Sequence, residues 1–380
     1  MQVDAPFCFS RHISQNVPEE IRCACIGNTS HGDILMETLK SIDLFAGIGG
    51  IRLGFEQAFG SGIETVFVSE MGRNATRTYA ANFSTPSSDG GETCDIAGDI
   101  TQIPSDDIPP FDICLAGFPC QAFSRAGKRM GFTDNYKGRS RGTLFAEVVR
   151  ICELHQPKVI FCENVKGLVG HDKGNTFKVI VGAFEQIGYR VFHKVLNSKD
   201  FGVPQNRERI YIVAFRNDIA LDSFEFPVGT DGDTCIADIL EDGPVSTKYY
   251  LSTAYLDFCR RHKAKHEALG HGFGYVIRDP KDKAGAVVCG GMGRERNLII
   301  DHSITDYTPV TNIKGEVSRE DVRRMTPREW ARLQGFPDSF SFPLADSPTY
   351  KQLGNSVTVP VIRAIAENIR DVLVRTDCAD

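Results

Sequence analysis

The chain has 380 residues, of which 41% are hydrophobic and 24% charged, with a formal net charge of −6. That composition supports one large folded domain or two ordinary ones. The apolar runs are far shorter than the ~18 residues a membrane helix needs, and the opening MQVDAPFCFSRHISQNVPEE is too polar for a signal peptide, so neither membrane nor export is expected and the cytoplasm is. The acidic balance gives no global signature of a nucleic-acid binder, yet a cleft can be locally basic on an acidic protein.

Residues 1–36 mix Cys, His, Ser, Pro and Glu without periodicity and read as a loosely ordered extension. From Ser41 short apolar runs alternate with amphipathic ones: SIDLFAG and IRLGFEQAF, ETVFVSE and NATRTYAANF, FDICLAGF and TLFAEVVRICELH, KVIFCENV and TFKVIVGAFEQIG, then YRVFHKVLNS and RIYIVAFR. Repeated strand–helix alternation predicts an α/β fold, a doubly wound, mostly parallel sheet with helices on both faces, over residues 37–220. Ligands bind such sheets at the carboxyl ends of the strands. Residues 221–348 are richer in glycine, charge and turn signals and predict a smaller, irregular, β-rich domain. Within it TPREWARLQGF reads as a helix with Thr326 as N-cap and Pro327 in first position. Residues 349–376 close with an amphipathic helix from about Pro360 that packs back on the first domain.

The twelve cysteines are scattered, with no CxxC and no zinc-site spacing, so no metal is expected. Those in FDICLAGF, VVRICEL and VIFCENV read as buried apolar thiols.

DLFAGIGGIRLGF reads as strand, glycine loop and helix. Gly47, Gly49 and Gly50 let the backbone approach a ligand at a positive helix end. The spacing is GxGG, not GxGxxG, which removes the dinucleotide phosphate cradle. Glu70 closes the next strand, where an acid can grip ribose hydroxyls, and Asp99 could accept from an adenine amino group. Either acid could equally be a helix cap or a solvated strand end. With Phe45 to stack on adenine, the set suits an adenosyl ligand without a pyrophosphate, and S-adenosylmethionine fits.

Cys120 follows Pro119 at the carboxyl edge of the strand FDICLAGF. Glu163 in ENV ends the next strand, and QNRERIYIVAF puts Arg207 and Arg209 at alternating positions that point to one face. A cysteine, a carboxyl and arginines at one edge suit methylation of cytosine C5. That carbon is a poor nucleophile until a thiolate adds at C6 and an acid protonates N3.

In order and spacing, DLFAGIGGIRLGFE, GFPCQAFS, ENV, QNRERIYIVAF, RMTPREWARLQGFPD and YKQLGNSV resemble the motifs of the cytosine-C5 DNA methyltransferases of bacterial restriction-modification systems. The resemblance covers residues 41 to about 373. It implies Cys120 as the nucleophile, Glu163 as the N3 partner, and Arg207 and Arg209 as holders of the active-site geometry. It implies a pocket for S-adenosylmethionine, with S-adenosylhomocysteine as product, from Phe45, Gly47, Ile48, Gly50, Glu70, Met71, Asp99, Ile100, Pro119, Leu144, Asn355 and Ser356. Met71 stands where many members carry a tryptophan, and the loop after the nucleophile is a few residues longer than in the smallest members. Double-stranded DNA is the implied partner, with a separate restriction endonuclease possible and a monomer expected.

Between Arg125 and Arg141 the chain carries Arg125, Lys128, Arg129, Lys137, Arg139 and Arg141 against the single acid Asp134. Beside a nucleophile that must reach a base inside a duplex, such a loop, with Ser124, can close on phosphates and fill the gap left by a flipped base. Arg294 and Arg296, after Gly290, Gly291 and Gly293, are candidates for guanine readout, with phosphate contact or solvation as the alternative. An RNA cytosine methyltransferase sharing the scaffold is the rival enzyme, and the ~100-residue variable region favours DNA. A DNA-binding protein on a dead scaffold is the rival from another class, and the intact Cys120, Glu163, Arg207 and Arg209 argue against it. An amino-methylating enzyme would carry a (D/N/S)PP(Y/F) motif in place of PCQ.

Overall fold

In the computed structural model, each alternating run becomes the element its pattern predicts. The structure describes residues 38–380 apart from 87–91, 94, 120–134, 137–138, 141–143, 231, 291, 311–312 and 378–380. Strands β1 (Leu39–Leu44), β2 (Ile63–Ser69), β3 (Ile113–Ala116), β4 (Val159–Val165), β5 (Tyr189–Asn197) and β6 (Glu208–Arg216) form one six-stranded sheet, in the order β2-β1-β3-β4-β6-β5. The first four neighbours run parallel, and β6 runs antiparallel to both β4 and β5. β3 and the first half of β4 are buried throughout, as expected of strands covered on both faces.

Alternate residues of each strand feed opposite layers. Helix α2 (Arg73–Phe83) follows β2, and Ile42, Cys114, Ile160 and Cys162 pack with Val148 and Ile151 of α3 (Leu144–His155) and Ile180 of α4 (Asn175–Gln186). Ile113, Leu115, Val159 and Phe161 pack instead with Phe55 of α1 (Gly50–Phe59) and Ile362, Ile365 and Ile369 of α8 (Val359–Asp377). A Cβ on Gly54 would lie 2.6 Å from the Cβ of Ile362, so glycine is what lets α8 return onto α1. The thiols expected to be buried, Cys114, Cys152 and Cys162, are so, and burial pushes Cys114 and Cys162 well above the ordinary thiol range.

Beyond β6 the chain is irregular as expected but not β-rich: among the described residues of 221–348 the named strands are only Ala284–Gly285, Leu298–Ile300 and Val322–Arg324, and helix exceeds them. Residues Thr253–Ala268 form a sixteen-residue helix, α5, capped by Ser252, whose hydroxyl accepts from the Tyr255 N–H at 3.2 Å. Only Leu256 and Cys259 of α5 are buried, so its sequence carries too thin an apolar stripe to be read. α6 (Pro327–Leu333) starts as expected: the Thr326 hydroxyl accepts from the Glu329 N–H, and the Glu329 carboxylate accepts from the Thr326 N–H. Glu329 also pairs with Arg323 at 2.8 Å, with both side chains almost wholly buried. α7 (Asp346–Asn355) leads into α8. Among the described residues, no helix is long and apolar enough to cross a membrane.

Candidate active site

Two strand ends, those of β1 and β3, flank the point where the sheet reverses its winding, the place such sheets bind ligands. After β1 the chain turns through Phe45 (φ 56°), Gly47 (φ 59°) and Gly49 (φ 84°) into α1. Phe45 is a non-glycine residue in the left-handed region, a conformation kept only where the surroundings impose it. A Cβ on Gly47 would meet nothing within 4 Å, so this glycine borders open space. Its N–H donates to Glu70 Oε2 at 2.9 Å, while Glu70 Oε1 accepts from the Gly72 N–H at 2.6 Å. The carboxylate is thus fixed at the end of β2 with acceptor lone pairs still available.

The other two loop glycines also face close neighbours within the protein. A Cβ on Gly49 would sit 2.2 Å from the Phe83 ring, and one on Gly50 would sit 2.9 Å from Val357 and 3.0 Å from the Ser356 hydroxyl. Both glycines are needed for close packing within the protein. Ile48 and Ile100 are buried in the core, which leaves their backbone rather than their side chains for a ligand. Asp99 acts as a cap, its Oδ1 accepting from the Thr101 N–H and hydroxyl at 3.2 and 2.8 Å. Met71 is 63% exposed beside Glu70.

Below the loop lies a buried group without a sequence signal. Asp43 Oδ2 accepts from the Tyr79 hydroxyl at 3.3 Å, Arg52 Nη1 donates to the same hydroxyl at 3.2 Å, and Arg52 pairs with Glu56. Burial pushes the Asp43 carboxyl up to about 7, against the pull of Arg52 and the Tyr79 hydrogen bond.

At the reactive end, β3 runs out into Gly117, Phe118 and Pro119. Asn164, buried on β4 beside Glu163, donates from Nδ2 to the Phe118 carbonyl at 3.2 Å. Cys120 lies outside the described residues, as do Ser124, Arg125, Lys128, Arg129, Lys137 and Arg141. Arg139 lies in the short strand Arg139–Ser140. Leu144 opens α3 where the described chain resumes.

The Glu163 side chain is 12% exposed, with Oε1 3.3 Å from Arg209 Nε. Burial raises its carboxyl above the ordinary range, and Arg209 and then Arg207 oppose the rise. The arginines share this electrostatic effect but not a role. Arg207 precedes β6, is 3% exposed, and donates to the Val287 carbonyl at 2.8 Å and the Ser356 carbonyl at 2.6 Å. It ties two distant segments together beneath Glu163.

The same tie brings the end of α7 to the site. The Ser356 carbonyl also accepts from Gln334 Nε2 at 3.2 Å, and Gln334 bonds the Leu353 carbonyl, Gln205 and the Thr358 hydroxyl. Asn355 accepts from the Cys289 thiol at 2.6 Å. Asn164, Asp43 and Gln334 escaped the sequence reading; for Asn164 the signal was its place inside ENV.

Arg294 and Arg296 lie on the short 3-10 turn Gly293–Asn297, their guanidinium groups 5.6 Å over the Tyr350 ring and 5.8 Å over the Phe273 ring. The flanking runs do not pair with one another. Ala284–Gly285 pairs with Gln205–Asn206, and Leu298–Ile300 pairs with Val322–Arg324. A Cβ on Gly293 would lie 2.3 Å from the Val288 carbonyl, so this glycine too serves packing, while Gly290 (φ 91°) borders open space.

The family model for C-5 cytosine-specific DNA methylases matches residues 39–371. The chain belongs to that family. This DNA methylase is 53% identical over 344 residues to the Type II methyltransferase M.HpaII of Haemophilus parainfluenzae, covering 89% of this chain and 91% of the relative. It is 46% identical to the Type II methyltransferase M.NlaX of Neisseria lactamica, over 88% of this chain and 97% of that one. Among solved structures, the S. pombe Dnmt2 methyltransferase superposes with a TM-score of 0.64 at 20% identity, covering 89% of this chain and 99% of the other, a likeness of fold. The methylase transfers a methyl group to C5 of cytosine in DNA and so uses a methyl donor.

Proposed function

We propose that this methylase acts on one specific duplex sequence, as the modification enzyme of a restriction-modification system, by adding Cys120 to C6 of a flipped-out cytosine. The observation that supports this most directly is the Asn164–Phe118 hydrogen bond. It joins the strand bearing Glu163, whose carboxyl burial raises above the ordinary range, to the Phe118 backbone two residues ahead of Cys120 in sequence.

S-adenosylmethionine supplies the methyl as an electrophile on its sulfonium. The groups present fit its adenosyl part: the Glu70 carboxylate for ribose hydroxyls, Asp99 for the amino group, and Phe45 with exposed Met71 for the ring. Asn355 and Ser356 close the pocket from α7. In the proposed chemistry the Cys120 thiolate forms a bond to C6, and Glu163 gives its proton to N3 as ring electrons move there. C5, now enamine-like, takes the methyl as the S–CH3 bond breaks and its electron pair stays on sulfur, leaving S-adenosylhomocysteine; a base then removes the C5 proton, the thiolate leaves, and N3 returns its proton to Glu163. Arg209 orients Glu163 and balances its charge after transfer. The basic residues from Arg125 to Arg141 contact phosphates, residues 221–348 read the sequence, and the enzyme works as a cytoplasmic monomer beside a separate endonuclease.

Incubating duplex DNA and tRNA with the protein and labelled S-adenosylmethionine, then bisulfite sequencing the DNA, examines this. Label confined to DNA at one short recurring sequence is expected. Label in tRNA, or cytosines modified without a shared sequence, would overturn the proposal.

A further inference from the structure

Helix α5 was absent from the sequence reading and takes no part in the site. Phe258, Arg261, His262, Lys265 and Leu269 stand at positions i, i+3, i+4, i+7 and i+11, so they share one side of the helix. Leu256 and Cys259, buried, mark the other. Phe258 is 47% and Leu269 59% exposed, and Arg261 and Lys265 stand in solvent. The neighbouring cations are engaged elsewhere: Arg260 pairs with Asp257 and Glu320, and Lys263 lies 4.0 Å from Glu267. Arg261 and Lys265 have no ion-pair partner among the described residues.

Aromatic rings carry this face onward. Phe258 lies 6.0 Å from His262, His262 4.4 Å from His266, and His266 5.9 Å from Phe273. Phe273 in turn lies beneath the guanidinium of Arg296, at 5.8 Å. The surface is therefore continuous with the turn proposed to read bases.

We infer that this face of α5 binds the phosphodiester backbone of the substrate duplex outside the target site, through Arg261 and Lys265. A chain of net charge −6 repels a polyanion on average, so the duplex must lie against local cations, and two uncommitted ones stand here on one helix side. The exposed rings of Phe258 and Phe273, with half-buried His262 between the two cations, offer contact to sugar edges, which a purely solvated charge run would not. The inference rests on the proposed DNA-reading role of the 293–297 turn.

The test is a double variant, Arg261→Gln with Lys265→Gln, which removes both charges while keeping polar, unbranched side chains of similar helix propensity. Binding to a target-site duplex and to a scrambled duplex is measured across a salt series. Each phosphate contact contributes about one to the slope of log affinity against log salt. Affinity for both duplexes should fall by the same factor, ~10-fold at low salt, and the slope should lose about two. The charge-keeping pair Arg261→Lys with Lys265→Arg should retain the slope, and the list of methylated sites should not change in either variant. An unaltered slope, or a loss confined to the target-site duplex, overturns the inference. So does loss of binding to anionic vesicles with DNA binding intact, which would assign the face to a membrane. Methylation of the same duplex by the wild type, followed in parallel, keeps failure of this surface distinct from failure of the DNA reading.

Discussion

Asn164 holds the Phe118 carbonyl from 3.2 Å, so the strand that carries Glu163 also fixes the backbone leading into Cys120. One buried side chain thus links the strand of the proposed acid to Phe118, which stands two residues before the proposed nucleophile in sequence. Asn164→Ala would leave that carbonyl without its donor, at a cost of ~1–3 kcal/mol to the local arrangement. The variant should bind cofactor with near wild-type affinity, while kcat drops ~10-fold or more as the 117–119 segment drifts. Equal kcat in single-turnover assays would show that the contact is merely structural.

Glu163 must be protonated to donate to N3, and burial raises its carboxyl above the ordinary range. The protonated fraction therefore survives to higher pH than for an exposed glutamate, and activity should fall as pH rises through the folded-state value. Glu163→Gln keeps the shape without a proton to give, so turnover should fall ~10²-fold or more with DNA and cofactor binding retained. The residual activity should also lose that alkaline limb. A Gln variant with full turnover would assign the carboxyl to structure alone.

Asp43 makes a stability prediction with a definite sign. Its carboxyl is raised from 3.8 to about 7 in the folded chain. The folded state thus holds a proton that the unfolded state has lost between these values, and stability should decline as pH rises from about 4 to about 7. A shift of this size corresponds to at most ~4 kcal/mol. Asp43→Asn keeps an acceptor for Tyr79 and cannot titrate, so its urea midpoint should change less over that window than the wild type's. Parallel pH dependences in the two proteins would place the titration elsewhere.

Arg294 and Arg296 bear on specificity. If either reads guanine O6 and N7, its alanine variant loses ~1–3 kcal/mol of discrimination and methylates a broader set of sites. Bisulfite sequencing of plasmid DNA modified by each variant measures this. Slower modification of an unchanged set of sites by both variants would assign them to phosphate contact or packing.

The sheet, the order of its strands' motifs and the Thr326 cap were legible because apolar runs of strand length alternate with helical ones, and because capping chemistry is local. α5 was not legible: two buried residues on sixteen give no periodicity. The glycine loop was read as three equivalent glycines, although only Gly47 borders open space. What Gly49 and Gly50 face, Phe83 and Ser356–Val357, is set by chain segments far apart in sequence. Arg207 and Arg209 looked equivalent from their spacing, yet the partners of Arg207 lie 80 and 149 residues away, beyond any local pattern.

The central claim is a covalent bond from Cys120 to cytosine C6. A duplex carrying 5-fluorocytosine at the target position, mixed with the methylase and S-adenosylmethionine, measures it directly. The fluorine at C5 cannot leave as a proton does, so the adduct should persist through denaturing electrophoresis, and peptide mass spectrometry should place it on Cys120. Cys120→Ser, a far weaker nucleophile at neutral pH, should bind the duplex and form no adduct. An enzyme that methylates the ordinary duplex yet gives no adduct with the fluorinated one, or a serine variant that still turns over at the wild-type rate, would contradict the account.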